Sequence, residues 1–147
     1  LNEKNCSSME YIKQLLQGKF PAAPKFSVMI SHVKDIAKAH VLSLKNKSAG
    51  GRRLIVGSEV RSILELSKIM AKNIPSHAKK LPKRELPNFM VKLLSYIDTS
   101  AKTMVPDLGL IMQTDQTYAE DILQMKFMAS EIAVVDAAKS VIRLNLA

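Results

Sequence analysis

Apolar positions along this chain recur mainly at the three- and four-residue spacing of a helix, interrupted by two short runs that read as strands. Met9, Ile12, Leu15 and Leu16 share one helical face. Ser7 followed by Glu10 has capping-box spacing, in which a hydroxyl and a carboxylate satisfy free backbone donors. Gly18 can close this first helix in the left-handed conformation, and Pro21 and Pro24 forbid its continuation. Phe26 to Ile30 is short, apolar and partly β-branched, which predicts a buried strand. Asp35 stands where it can cap a second helix, its charge suiting the positive helix end. Ile36, Ala37, His40, Val41 and Leu44 predict the buried side of that helix. Lys45 and Lys47 suit its carboxyl end, and Gly50 with Gly51 makes the turn.

Arg53 to Val56 reads as a second strand, closed by Gly57. Ser62 and Glu65 repeat the capping-box spacing, and Ile63, Leu66, Ile69 and Met70 continue at helical spacing up to Pro75. This strand–helix–strand–helix order is the signature of α/β packing. The chain then becomes mainly helical. Phe89, Met90, Leu93, Leu94 and Ile97 form one amphipathic segment behind Pro87. Pro106 and Gly109 bound a loop, and Thr117 with Glu120 opens a short helix. A last helix runs from about Ser130 to Leu144 with Ile132, Val135, Ala138, Val141 and Ile142 inward. The pattern predicts one helix-rich α/β domain over residues 1–147, with a few short strands and about six helices. It contains no repeat, low-complexity segment or dividing linker.

Composition adds bounds rather than a function. Hydrophobic residues make up 47% and charged residues 24% of 147 positions, which excludes a disordered chain. No apolar run reaches the ~18 residues needed to span a membrane, so no membrane contact is expected. The polar start at Leu1 does not read as a signal peptide. Because it is not a Met, it suggests a fragment or a processed chain. The single cysteine, Cys6, fits a reducing cytoplasm and reads as a passive thiol. The net charge is +9, from 22 Lys plus Arg against 13 Asp plus Glu. Lys79, Lys80, Lys83 and Arg84 are the densest basic stretch. No aromatic is interleaved with them as a single-strand nucleic-acid surface would want, so they read as a solvated turn. The eight Met residues are explained by core packing.

Reaction centres are missing. The five glycines, Gly18, Gly50, Gly51, Gly57 and Gly109, make no phosphate-cradling turn. Four places after Tyr11, Tyr96 and Tyr118 stand Leu15, Ser100 and Ile122, so no lysine is spaced to lower a phenol's pKa. His32, His40 and His77 lack zinc-ligand spacing, so no metal is expected. His40, on an apolar helix face, reads as a satisfied core histidine. There is no catalytic residue set.

Several stretches in order resemble one family. Residues Ser8 to Ala22, SMEYIKQLLQGKFPA, resemble the segment after the nucleotide-binding core in dihydroflavonol-reductase-like enzymes. Those are extended short-chain dehydrogenases, of the NAD-dependent epimerase/dehydratase group. HVKDIAKAHV, His32 to Val41, is the most specific match. RLIVGS, Arg53 to Ser58, and Ser62 to Ile69 are similar to the strand and helix that follow. Thr114 to Leu123 and the closing AAKSVIRL, Ala137 to Leu144, are similar to later elements. Tyr118 stands where that family usually has Lys, Gln124-Met125 where it has Gly-Trp, and Phe127 where it has Pro.

The resemblance implies that this chain is the carboxyl-terminal, substrate-binding half of a doubly wound, Rossmann-type reductase. Its parent would use NADP or NAD, with the glycine-rich turn and a Ser, Tyr and Lys set in the missing nucleotide-binding half. This chain alone would bind no cofactor and be inactive. By the same analogy Phe20, Pro21, Phe26, Met29, Ser31 and His32 would face a small carbonyl or alcohol substrate. Asp35 and His40 would hold a helix between the halves. A half without its partner would expose a large apolar patch and tend to form a homo-oligomer. Two rival readings stay open: a free-standing basic module binding nucleic acid or protein, and a truncated gene product without activity.

Overall fold

The computed structural model describes residues 7–97 and 99–147, with the side chains of Ser7, Ser8, Thr99 and Ser100 outside that description. Cys6 lies outside the described residues, and the Ser7 hydroxyl of the expected capping box belongs to a side chain outside the description. Seven α-helices and four short strands are present among them. The helices are α1 (Ser7–Leu16), α2 (Val33–Lys45), α3 (Ile63–Asn73), α4 (Asn88–Leu94), α5 (Thr99–Met104), α6 (Thr117–Leu123) and α7 (Ser130–Arg143). The strands are β1 (Ala23–Pro24), β2 (Ser27–Ile30), β3 (Glu59–Ser62) and β4 (Glu85–Leu86). This is the helix-rich α/β class that the hydrophobic pattern predicts. No described helix is long and apolar enough to cross a membrane.

The chain forms two compact units. The first comprises the residues up to Ser27, Ser62–Ile111 and Val134–Ala147; the second comprises Val28–Arg61 and Met112–Ala133. In the first unit, α1 buries Ile12, Leu15 and Leu16 as its periodicity requires. Gly18 follows with φ of 74°, the left-handed value that ends a helix at little cost for glycine. The Gln17 amide donates to the Leu146 carbonyl at 2.8 Å, holding the end of α1 beside the chain's last turn. β1 and β4 pair in parallel, Ala23 opposite Glu85 and Pro24 opposite Leu86. Proline is tolerated here because a two-residue strand leaves little ladder for it to interrupt. The Ser62–Glu65 capping box is complete. Glu65 N–H donates to the Ser62 hydroxyl at 3.2 Å, and Ser62 N–H donates to the Glu65 carboxylate at 2.8 Å. Behind it α3 buries Ile63, Leu66, Ser67 and Met70.

The second unit has a smaller core. Ala39 of α2 packs with Leu123 and Met125, against half-buried Leu42, Leu54, Val56, Ile122 and Phe127. Asn46 closes α2 and reaches across this core, its amide donating to the Ile122 carbonyl at 2.5 Å.

Several expectations are corrected by packing. β2 is only half-buried along its length, because its single partner is β3 in a two-stranded sheet. Residues 53–56 belong to no strand ladder among the described residues. Asp35 is not the cap of α2; it lies in the first turn, and His32 takes the cap position. Ile36, Ala37, His40, Val41 and Leu44 face solvent, whereas Asp35 and Ala39 are buried. His40 is thus no core histidine. In α7, Val134 is buried and Ile132 is exposed, a rotation of the inner face toward Ala133, Val134, Ala138 and Val141. In α4, Val91 is buried while Phe89, Met90, Leu93 and Leu94 are exposed. Thr117 opens α6, as the spacing to Glu120 predicts. The Asp115 carboxylate accepts the Thr117 N–H at 2.9 Å, and hydrogen bonding from the Thr117 side chain, then from this N–H, holds the Asp115 carboxyl below the usual carboxylate range.

Leu15 is wholly buried. Leu15→Ala should lower unfolding free energy by about 2–5 kcal/mol through lost transfer energy and the cavity left behind. Urea denaturation measures this, and a loss under about 1 kcal/mol would mean that α1 does not hold the first unit's core.

Candidate functional site

The chemistry-bearing side chains of the second unit gather at the end of β2 and the turn entering β3. Ser58 donates twice to the Ile30 carbonyl, from its N–H at 2.9 Å and its hydroxyl at 3.2 Å. Ser31 reciprocates, its hydroxyl donating to the Val56 carbonyl at 2.7 Å. The Gln116 amide donates to the Ser58 carbonyl at 3.0 Å. Met29 lies over Gly57. A Cβ there would stand 2.6 Å from the Met29 sulfur, so the absence of a side chain lets the two segments meet. Met29 and Ser31 are therefore half-buried and packed, with the Ser31 proton already used.

His32 is buried, and its Nδ1 accepts the Lys34 N–H at 3.1 Å. This satisfies one free donor at the start of α2. In the neutral ring the proton is then carried on Nε2. Asp35, one turn on, is also buried; its carboxylate accepts the Met128 N–H at 2.7 Å, from 93 residues away. The charge also suits the positive end of α2. His40 is exposed, with Nδ1 2.7 Å from the Ile36 carbonyl of its own helix.

A second polar cluster escaped the sequence reading. The Glu59 carboxylate accepts the Ser130 N–H at 3.2 Å and, in a short bond, the Ser130 hydroxyl. Arg61 donates to Glu59 at 2.8 Å and to the Ser130 hydroxyl at 3.0 Å. Ser130 is the first residue of α7 and is wholly buried. The Ser130 and Arg61 hydrogen bonds hold the Glu59 carboxyl below the usual carboxylate range, against the opposing effect of burial. The two-residue spacing of Glu59 and Arg61, which in a strand puts both on one face, was the available signal. Nothing local pointed to Ser130.

In the first unit, Phe26 is buried with its ring edge-on to Tyr11, centroids 6.0 Å apart. Phe20 is half-buried and Pro21 exposed. The four residues of the basic turn, Lys79, Lys80, Lys83 and Arg84, are all exposed. Among the described residues no three His, Cys, Asp or Glu side chains gather as metal ligands do. The polar groups on β2 and α2 position backbone. As arranged, they can shape and hold a binding surface, and they supply no nucleophile–base pair.

No family model matches the chain, and no curated protein matches it in sequence. Solved structures do match. Gre2 from Candida albicans in complex with NADPH is similar over 97% of this chain and 38% of its own, with a TM-score of 0.69 at 20% identity. Yeast methylglyoxal/isovaleraldehyde reductase Gre2 complexed with NADPH is similar over 97% and 41%, with a TM-score of 0.67 at 19% identity. For gox2253 the shares are 97% and 46%, with a TM-score of 0.74 at 18% identity. This chain has the fold of part of the Gre2-type reductases. It spans less than half the length of each of these structures.

Two outcomes test the site. Asp35→Ala orphans a buried N–H, and should cost about 1–3 kcal/mol in urea denaturation. For Glu59 the lowered folded-state pKa sets the sign: its stabilisation is complete above the ordinary glutamate range and is lost as pH falls through the lower folded value. Glu59→Gln should therefore flatten the loss of urea midpoint on acidification relative to wild type. Identical pH profiles for the two proteins would show that this cluster does not contribute.

Proposed function

We propose that residues 1–147 are the carboxyl-terminal, substrate-side portion of an NAD(P)-dependent reductase of the extended short-chain dehydrogenase type. The observation that carries this reading is the fold likeness to NADPH-complexed reductases over nearly all of this chain and less than half of theirs. The order of family-like stretches, with His32 to Val41 the most specific, supports it independently. In this reading the hydride-transfer cofactor and the proton-donating set belong to a nucleotide-binding portion outside these residues. That portion binds NADP or NAD, and the present chain closes over a small carbonyl or alcohol substrate. The segment from Phe20 and Pro21 to Phe26, and separately the strand end from Met29 through Ser31 to His32, are the proposed substrate-facing stretches. Asp35 and His40 hold and present α2. The protein is assigned to the cytoplasm on its single cysteine.

His32 enters this proposal with its Nδ1 committed to Lys34, so it shapes the pocket wall and is not a base. Ser31 likewise orients backbone through Val56.

The full-length product of the gene encoding this chain should oxidise NADPH when offered a panel of small aldehydes and ketones, followed at the nicotinamide absorbance band. Residues 1–147 alone should not. A full-length product that neither binds nor oxidises NADPH or NADH overturns the reading. A product no longer than this chain with salt-dependent affinity for DNA would replace it with a basic binding module.

A further inference from the structure

Positive charge is concentrated on one stretch of the first unit. Residues 66–84 hold six Lys and Arg side chains and no Asp or Glu, a surplus of six against +9 for the whole chain. Like charges set close together repel, so the run calls for a compensating role. Two of the six have a structural one. Lys72 lies in the last turn of α3, where a cation suits the negative helix end. Lys80 packs over Gly18: a Cβ on Gly18 would stand 3.3 Å from the Lys80 Cβ, so the absence of one seats the basic turn against the end of α1. Lys68, Lys79 and Lys83 have no such part. All three are exposed, and among the described residues their side chains make no ion pair or hydrogen bond.

These three lysines line one groove. It is open, ≈ 280 Å³ in volume, and lies between α3 and the turn leading to β4, with Ala71, Leu81 and Pro82 among its apolar lining. Leu81 and Pro82 are themselves buried. The turn is fastened along its length. The Ile74 N–H donates to the Met70 carbonyl at 2.8 Å, the Lys80 N–H to the His77 carbonyl at 2.9 Å, and the Ala23 N–H of β1 to the Arg84 carbonyl at 2.9 Å. Pro75 and Pro82 fix two further backbone angles. Lys79 and Lys83 therefore stand on held backbone, on either side of Leu81 and Pro82, and Lys68 stands on the α3 wall.

We propose that this groove is a binding site for a small phosphate monoester carrying an apolar group. A phosphate monoester brings nearly two negative charges at neutral pH and three acceptor oxygens, one for each lysine. A carboxylate brings one charge, and its planar fork is matched by Arg rather than by three ammonium groups. The apolar part of the ligand lies along Leu81 and Pro82. The groove is slightly smaller than the sites of drug-sized ligands, about 300–1,000 Å³, which sets the size of the occupant. A nucleic-acid strand is a poorer fit, because no aromatic side chain lines the groove to stack a base. The site belongs to the first unit alone and does not depend on the reductase reading.

Phenyl phosphate is the probe, titrated into the full-length gene product by saturation-transfer NMR with NADPH present in excess, so that any cofactor site is filled. Saturable binding is expected, weaker for inorganic phosphate, which lacks the apolar part, and weaker for benzoate, which lacks the second charge. The double variant Lys68→Gln with Lys83→Gln should lose about tenfold in affinity, as two removed ion pairs at an exposed site allow. Its urea midpoint and its NADPH affinity should match wild type. Absence of saturable binding overturns the proposal, as does binding that the double variant leaves unchanged. Equal affinity for benzoate overturns the phosphate assignment. Binding of duplex DNA that the double variant loses, with no saturable binding of phenyl phosphate, would replace the site with a polyanion surface.

Discussion

The setting of α2 depends on one long-range hydrogen bond. The buried Asp35 carboxylate accepts the N–H of Met128, which has no helical partner of its own at that point in the chain. A buried carboxylate is costly unless it is bonded, and a buried N–H is equally so. Satisfying both together fixes which side of α2 turns inward. Ala39, one turn further along, then falls onto Leu123 and Met125, where only a small side chain lets the helix come close. The larger apolar residues of the helix are left facing out. Had the helix turned to bury Val41 and Leu44, Asp35 would have been carried into solvent and Met128 N–H left without its acceptor.

The Glu59, Arg61 and Ser130 cluster works by the same logic at the start of α7. The first N–H groups of a helix have no intrahelical acceptor, and negative charge is favoured there. Here the charge arrives from β3, 71 residues earlier, and Arg61 holds the carboxylate in place. The result is a polar clamp at a helix start rather than a reaction centre. This agrees with a chain whose histidine and serine side chains near β2 are engaged in holding backbone.

These engagements bear on how such a chain could serve a reductase. A substrate-side portion has to be rigid where it meets the reacting groups and permissive in the residues that contact substrate. The serines and His32 supply rigidity along β2. Phe20 and Pro21, the stretch proposed above to face substrate, lie on a loop, where sequence varies more freely than in the elements it connects.

Much of the architecture could be read directly from residue order. Cap residues and breakers act locally, so Ser62 with Glu65, Gly18, and the apolar spacing of α1 and α3 predicted helices that the structure contains. The α/β class followed from the alternation of such segments. The resemblance around His32 to Val41 likewise needed only the residues in order. What the chain order could not determine was orientation, because a helix with two apolar faces looks the same to a periodicity argument whichever face is inward. The burial of α2, α4 and α7 was therefore settled by contacts distant in sequence, above all Asp35 with Met128 and Ser130 with Glu59. Residues 53–56 show the complementary case. Their composition predicts a strand, but a strand becomes part of a sheet only when a neighbour satisfies its backbone, and tertiary structure alone supplies that neighbour.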